Sequence, residues 1–119
     1  MKVAIINYGL GNLGSVKNML KKVGCTDVVI SNDRDELSAA DKLILPGVGA
    51  FDQGMQSLAD SGLIPLLNKL VLEDKKPVLG ICLGAQLMTK SSEEGVLHGL
   101  GWFDAQVDAL ICIGLWITS

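Results

Sequence analysis

The sequence predicts an α/β protein whose doubly wound, mostly parallel sheet carries helices on both faces. Four short runs are almost continuously apolar and rich in β-branched residues, as expected for strands that are buried on both faces. Segments with helical spacing or glycine-rich loops separate these runs, and such alternation is typical of a parallel sheet. The runs cover residues 3–6, 28–30, 43–45 and 78–81.

The first helix is predicted between the first two strands. Four apolar residues recur there at spacings of three and four, which places them on one helix face. They are Leu13, Val16, Leu20 and Val23. Asn12 precedes this pattern as a suitable N-cap, and Gly24 follows it as a suitable C-terminal stop.

Two further helices are predicted between the third and fourth strands. One begins near Asp52, where three apolar residues share a side, namely Phe51, Met55 and Leu58. The other runs from about Ser61 to Leu72 and has Pro65 in its first turn, where proline is tolerated.

Composition narrows the class of function. The chain has 119 residues and a net charge of -3, and its cationic residues form no basic stripe. We therefore expect neither nucleic acid nor a membrane surface as a partner. The three cysteines include no C-x-x-C pair, which argues against disulfides and a zinc site and favours a reducing, cytoplasmic setting. We expect no metal and no cofactor.

The fourth strand ends in Gly80-Ile81-Cys82-Leu83-Gly84 and continues as a helical pattern. A cysteine on a sharp strand-to-helix turn, with glycine two residues before and two after, has the spacing of a nucleophile elbow. The helix that follows would favour the thiolate of Cys82, and the Leu83 N–H would face a developing oxyanion. The alternative is that Cys82 is a small buried residue at a tight turn.

The third strand ends in Pro46-Gly47-Val48-Gly49, here called the 46–49 loop. The carboxyl ends of parallel strands share one edge of the sheet, where ligands bind in open α/β folds. We therefore expect this loop to face the elbow, and we assign the second oxyanion donor to the Gly49 N–H.

A G-x-G-x-x-G pattern follows the first strand, formed by Gly9, Gly11 and Gly14. This spacing is also that of a dinucleotide-binding loop, and Asp33 lies at about the right distance for a ribose contact. A lone fingerprint is weak, so an NAD-binding domain is the remote alternative.

Three segments together carry a family resemblance: NYGLGNLGSV, LPGVGAFDQGM and PVLGICLGAQLM. They resemble the class I glutamine amidotransferases, and most closely the glutaminase subunits of imidazole glycerol phosphate synthases. The resemblance covers residues 1–107 and implies an incomplete amidotransferase fold. It further implies that Cys82 attacks the side-chain amide of glutamine and that ammonia passes to a (β/α)8 cyclase partner in histidine biosynthesis.

The resemblance also implies roles for other residues. Gly49 and Leu83 would form the oxyanion hole, while Gln86 and Glu94 would contact the substrate glutamine. A loop that faces the synthase partner would be formed by Tyr8, Gly9, Gly11 and Asn12. Position 85, commonly methionine in the family motif, is Ala85 here.

The family's catalytic histidine and glutamate come from an H-P-E type motif that this sequence lacks. Its single histidine is His98, sixteen positions after Cys82, which we interpret as a surface residue on a turn. We therefore expect an inactive glutaminase. The alternatives are a paralogue that supplies ammonia for surface-sugar amidation and a non-catalytic module that binds the synthase.

Residues 108–119 form a divergent apolar tail after the predicted amidotransferase domain at 1–107. The tail is either a final strand or the product of a shifted reading frame or premature stop, and we favour the second origin. Its apolar stretch is too short to span a bilayer.

Overall fold

A computed structural model of the chain describes residues 2–81, 83, 87–88, 91–92, 99–100, 102, 106–107 and 114–117. Within them the main sheet has five strands in the order β2-β1-β3-β4-β7. These are β1 (Val3–Ile6), β2 (Val28–Ser31), β3 (Lys42–Leu45), β4 (Val78–Ile81) and β7 (Gly114–Ile117). The first four are parallel, and β7 is antiparallel to β4. A separate two-residue parallel pair joins β5 (Ser91–Ser92) to β6 (Gln106–Val107).

All four predicted parallel strands are present, and two of them begin or end one residue beyond the predicted run. Alternate side chains enter two different cores, as the pleat of a strand requires. On one face Ala4, Ile6 and Leu43 join the large core under the later helices. On the other face Val3 and Ile5 belong to a smaller cluster that is covered by the first helix.

The first helix, α1, spans Leu13–Lys22 and has the predicted signals at both ends. The Asn12 side chain accepts a hydrogen bond from the Ser15 N–H at 3.3 Å. Gly24 lies just beyond the helix with φ of +93°, a conformation that glycine adopts without strain. The helix packs through partly buried Leu13, Val16 and Leu20.

A second helix, α2 (Arg34–Ala39), was not predicted. A local polar network defines its start: Asp33 accepts from the Glu36 N–H, and the Ser31 hydroxyl donates to the Glu36 carboxylate. Leu37 is the fully buried residue of this helix. Six residues with one buried side chain are too few to show a helical period in the sequence. Asp33 is therefore the N-cap of α2. Its side chain stabilises the start of a helix, a structural role that replaces the ribose contact expected of an NAD-binding domain.

The connection from β3 to β4 contains α3 (Phe51–Ser61), α4 (Ile64–Asn68) and a π-helical turn (Lys69–Glu73). The predicted helix near Asp52 corresponds to α3. The one predicted from Ser61 begins three residues later, because Gly62 adopts φ of +74° and ends α3. These helices cover the large core through Phe51, Leu58 and other buried residues.

The apolar tail contributes a strand, since Gly114–Ile117 form β7 at the edge of the main sheet. The origin of residues 108–119 stays a prediction. No described helix is long and apolar enough to cross a membrane.

Gly54 in α3 generates a prediction about packing. A Cβ at this position would lie 2.8 Å from Leu83 Cδ2 and 3.1 Å from Leu87 Cδ2, and both leucines are buried. Alanine would gain about 1 kcal/mol of helix propensity, but overpacking costs about 1–3 kcal/mol. We expect Gly54→Ala to lower the free energy of unfolding by about 1 kcal/mol in urea denaturation.

Gly14→Ala is the matched control, because Gly14 is also helical and no atom lies within 4 Å of its added Cβ. That substitution should be neutral or stabilising. Equal effects of the two substitutions would contradict the packing argument.

Tyr8 generates a prediction about alkaline pH. It is the single tyrosine of the chain and its side chain is 5% exposed, so burial raises its pKa well above the ordinary value of 10.0. The folded state therefore keeps the phenol proton where the unfolded chain loses it. Stability from this group is complete below about pH 10 and should fall above it by up to about 1.4 kcal/mol per pH unit.

Urea denaturation between pH 8 and 11 would measure this loss, and absorbance at 295 nm would report the ionisation of Tyr8. Tyr8→Phe isolates the contribution of the tyrosine, since stability of this variant should fall less steeply with alkaline pH. Identical slopes in both proteins would contradict the assignment.

Candidate active site

Three loops meet at the carboxyl edge of the sheet, because β3 pairs with β1 on one side and with β4 on the other. The loop after β3 is the 46–49 loop, and it lies between the other two. The Leu83 N–H donates a hydrogen bond to the Gly47 carbonyl at 3.2 Å. The structure therefore brings the 46–49 loop against the residue that follows position 82, as the topology predicts.

The change from strand to helix is visible on both sides of position 82. β4 ends at Ile81, and Leu83 is already helical. Gly80 lies inside β4, is buried and pairs with Leu45 of β3. Leu83 is 3% exposed and packs beside Gly54 of α3, so the residue after the predicted nucleophile is held firmly in the core.

The two predicted oxyanion donors differ in their surroundings. The Leu83 N–H is bonded to the Gly47 carbonyl, so it must leave this acceptor before it can bind a substrate oxygen. Gly49 is exposed and has φ of +111°, a left-handed conformation that favours glycine. Its neighbour Val48 is 58% exposed, so the tip of the loop faces solvent in the isolated chain.

The loop after β1 packs on the other side of the 46–49 loop. The Tyr8 hydroxyl donates to the Pro46 carbonyl at 2.5 Å, and the bond is buried. Gly11 has φ of +111°, and a Cβ there would lie 3.2 Å from Pro46 Cβ and 3.3 Å from the Gly47 nitrogen. Glycine is thus required at position 11 both for its backbone conformation and for the close approach of two loops.

Tyr8 belongs to the loop that the resemblance implies faces a partner, but its own side chain is 5% exposed. Its side chain lies in the core, so the accessible part of the loop is formed by Gly9 and Asn12, with Gly11 partly exposed. The sequence contained a signal for the burial. Ala4, Ile6 and Tyr8 alternate with period two, and all three enter the same core.

The glycine pattern after β1 does not have the geometry of a dinucleotide loop. The third glycine of that fingerprint allows close packing of helix on strand. Here an added Cβ on Gly14 would have no neighbour within 4 Å. Gly11 instead serves the contact with the 46–49 loop.

Several predicted site residues lie outside the described residues. They are Cys82, Gly84, Gln86 and Glu94, and His98, which we interpret as a surface residue, also lies outside the described residues. Their roles stay predictions, as do those of Gly49 and Leu83.

A shallow cavity of about 390 Å³ lies at the opposite edge of the sheet. Val23, Gly24, Cys25, Thr26 and Asp27 line it, just before β2 begins. It is therefore remote from the three loops. Among the described residues, no three His, Cys, Asp or Glu side chains come together in a way that could hold a metal ion.

Comparison with known proteins connects this geometry to a family. The class-I glutamine amidotransferase family matches residues 4–107. A solved structure described as a glutamine amidotransferase superposes with a TM-score of 0.73 at 23% identity, over 91% of this chain and 56% of the other. That likeness supports the predicted α/β fold.

Curated relatives are more similar in sequence. "Imidazole glycerol phosphate synthase subunit HisH 2" of Methanococcus maripaludis is 58% identical over 87% of this chain and 51% of the relative. The protein of the same name from Pseudomonas aeruginosa is 52% identical over 86% and 50%. "Imidazole glycerol phosphate synthase subunit HisH" of Bdellovibrio bacteriovorus is 50% identical over 88% and 51%. The chain spans about half the length of these curated relatives, and it belongs to the class-I glutamine amidotransferase family.

Proposed function

We propose that the chain is the N-terminal portion of a glutaminase subunit that hydrolyses glutamine to glutamate and supplies ammonia to a synthase partner. By the names of its relatives, that synthase makes imidazole glycerol phosphate. The observation that carries the proposal is the contact between the 46–49 loop and Leu83, joined by a 3.2 Å hydrogen bond. This contact supports the proposal because it joins the 46–49 loop to the residue that follows position 82.

In the proposed reaction the Cys82 thiolate attacks the side-chain amide carbon of glutamine. The amide oxygen becomes an oxyanion in the tetrahedral intermediate, which the N–H groups of Leu83 and Gly49 would stabilise. Collapse of this intermediate breaks the C–N bond, and the nitrogen leaves as ammonia with the proton that the Cys82 thiol gave up, which in the family a histidine absent from this sequence would carry. Water then hydrolyses the glutamyl thioester to glutamate and regenerates Cys82.

The hydrogen bond of Leu83 adds one requirement to this scheme. Because its N–H is bonded to the Gly47 carbonyl, the 46–49 loop must shift before Leu83 can bind an oxyanion. Gly47 and Gly49 flank the exposed Val48, and glycines permit the backbone rotations that such a shift needs. The arrangement therefore supports an oxyanion hole in which one of the two proposed donors is not yet available.

The proposed partner is a (β/α)8 cyclase subunit, and its contact would involve the loop after β1. Gly9 and Asn12 are exposed there, and the same loop packs on the 46–49 loop through Gly11. A partner bound at this loop would therefore lie next to the place where ammonia is released.

Covalent labelling tests the proposed nucleophile. We expect a glutamine analogue that carries a chloromethyl ketone to form one adduct at Cys82, because the thiolate displaces chloride directly and no proton donor is needed. Peptide mass spectrometry would locate the adduct, and excess glutamine should slow its formation.

Cys82→Ser should abolish this adduct, and Cys25→Ser is the matched control that should retain it. Equal labelling of Cys25, Cys82 and Cys112 would instead indicate ordinary thiol reactivity. An absence of any adduct would favour the non-catalytic binding module.

A turnover assay tests whether the chain can hydrolyse glutamine without the catalytic histidine of the family. The only histidine of the 119-residue chain is His98, and removal of the base from comparable triads costs several orders of magnitude in rate. We expect no glutamate release above background from this chain, with or without the cyclase subunit, in an assay coupled to glutamate oxidation. A rate near that of a full-length relative would show that proton transfer does not need the H-P-E motif.

A further inference from the structure

The hydroxyl of Tyr8 makes a contact that the proposed reaction does not use. It lies two residues beyond β1 and donates to the Pro46 carbonyl, in a region closed to solvent. A tyrosine buried for packing alone would leave its O–H unpaired at a cost, so a buried hydroxyl normally has a specific acceptor. Here the acceptor is the first residue of the 46–49 loop.

Two consecutive carbonyl groups of the 46–49 loop accept hydrogen bonds from its two neighbouring segments. The Pro46 carbonyl accepts from Tyr8 on the β1 side, and the Gly47 carbonyl accepts from the Leu83 N–H on the β4 side. The two peptide units adjoin, so the direction of the first limits the direction of the second. A fixed Pro46 carbonyl therefore favours the orientation in which the Gly47 carbonyl accepts the hydrogen bond from the Leu83 N–H.

A second contact supports the same role. Gly11 approaches Pro46 and Gly47 so closely that a Cβ would lie 3.2 Å and 3.3 Å from them. The loop after β1 is thus packed tightly where Tyr8 makes its hydrogen bond. The hydroxyl has little room to find another protein acceptor without movement of one loop.

We propose that Tyr8 is a positioning residue whose hydroxyl holds the 46–49 loop so that the Gly47 carbonyl occupies the Leu83 N–H. In the context of the proposed function, on which this consequence rests, Tyr8 sets how readily Leu83 becomes available to a substrate oxyanion. The role concerns the orientation of a peptide and involves no chemistry at the phenol.

Amide hydrogen exchange of the full chain, measured by NMR, tests the proposal in Tyr8→Phe. We expect the Leu83 amide to exchange roughly two- to tenfold faster than in the unsubstituted chain, the range for loss of one hydrogen bond. The amide of Ile44, at the centre of the sheet, serves as the internal reference. A merely structural role would accelerate both amides through global unfolding, whereas a positioning role changes their ratio.

Ser61→Ala is the matched control. It removes a part-buried hydroxyl that donates to the Leu58 carbonyl at the end of α3, far along the chain from the loop. The Leu83-to-Ile44 ratio should not change in this variant. An unchanged ratio in folded Tyr8→Phe, or an equal change in Ser61→Ala, would overturn the proposal.

A second measurement applies if Tyr8→Phe does not fold. Because the chain has one tyrosine, growth on 3-fluorotyrosine modifies Tyr8 alone. Fluorine makes the phenol more acidic and a stronger donor, so the Leu83 amide should exchange more slowly relative to Ile44. An equal or faster rate would refute the positioning role. Neither measurement involves glutamine or Cys82, so failed labelling of Cys82 would count against the proposed function alone.

Discussion

Parallel pairing of β3 with both β1 and β4 is the constraint on which the candidate site depends. Strands that run in one direction deliver their following loops to one edge, and β3 delivers the 46–49 loop between the other two. Residues far apart in sequence, such as Tyr8 and Leu83, thereby bind neighbouring carbonyl groups of the same loop. These two hydrogen bonds are possible because the sheet order brings the three loops side by side.

The parallel strands were predictable because burial on both faces leaves a nearly continuous apolar run. The ends of α1 were predictable as well, since Asn12 and Gly24 are strong local signals. Helix α2 was not, because six residues with one buried side chain are too few for a helical period. The π-helical turn at Lys69–Glu73 also leaves no mark in the spacing of apolar residues.

In the candidate site, the placement of the loops was predictable from the sequence, but their individual hydrogen bonds were not. Strand direction was enough to predict that the 46–49 loop would face the segment after β4. The acceptor of the Leu83 N–H could not be predicted, because nothing in the sequence pattern fixes the orientation of a peptide within a glycine-rich loop. The period of two along β1 does indicate the burial of Tyr8, because Ala4 and Ile6 precede it on the same face of the strand.

The antiparallel course of β7 leads the chain away from the three loops of the candidate site. Gly114 pairs with Ile81 at the edge that carries the three loops, and Ile117 pairs with Val78 at the far edge. Strand β7 thus runs from the edge that carries the 46–49 loop to the opposite edge of the sheet. A fluorophore or surface tether attached at Ile117 would accordingly lie at the opposite edge from the 46–49 loop, which makes this position suitable for immobilised binding measurements.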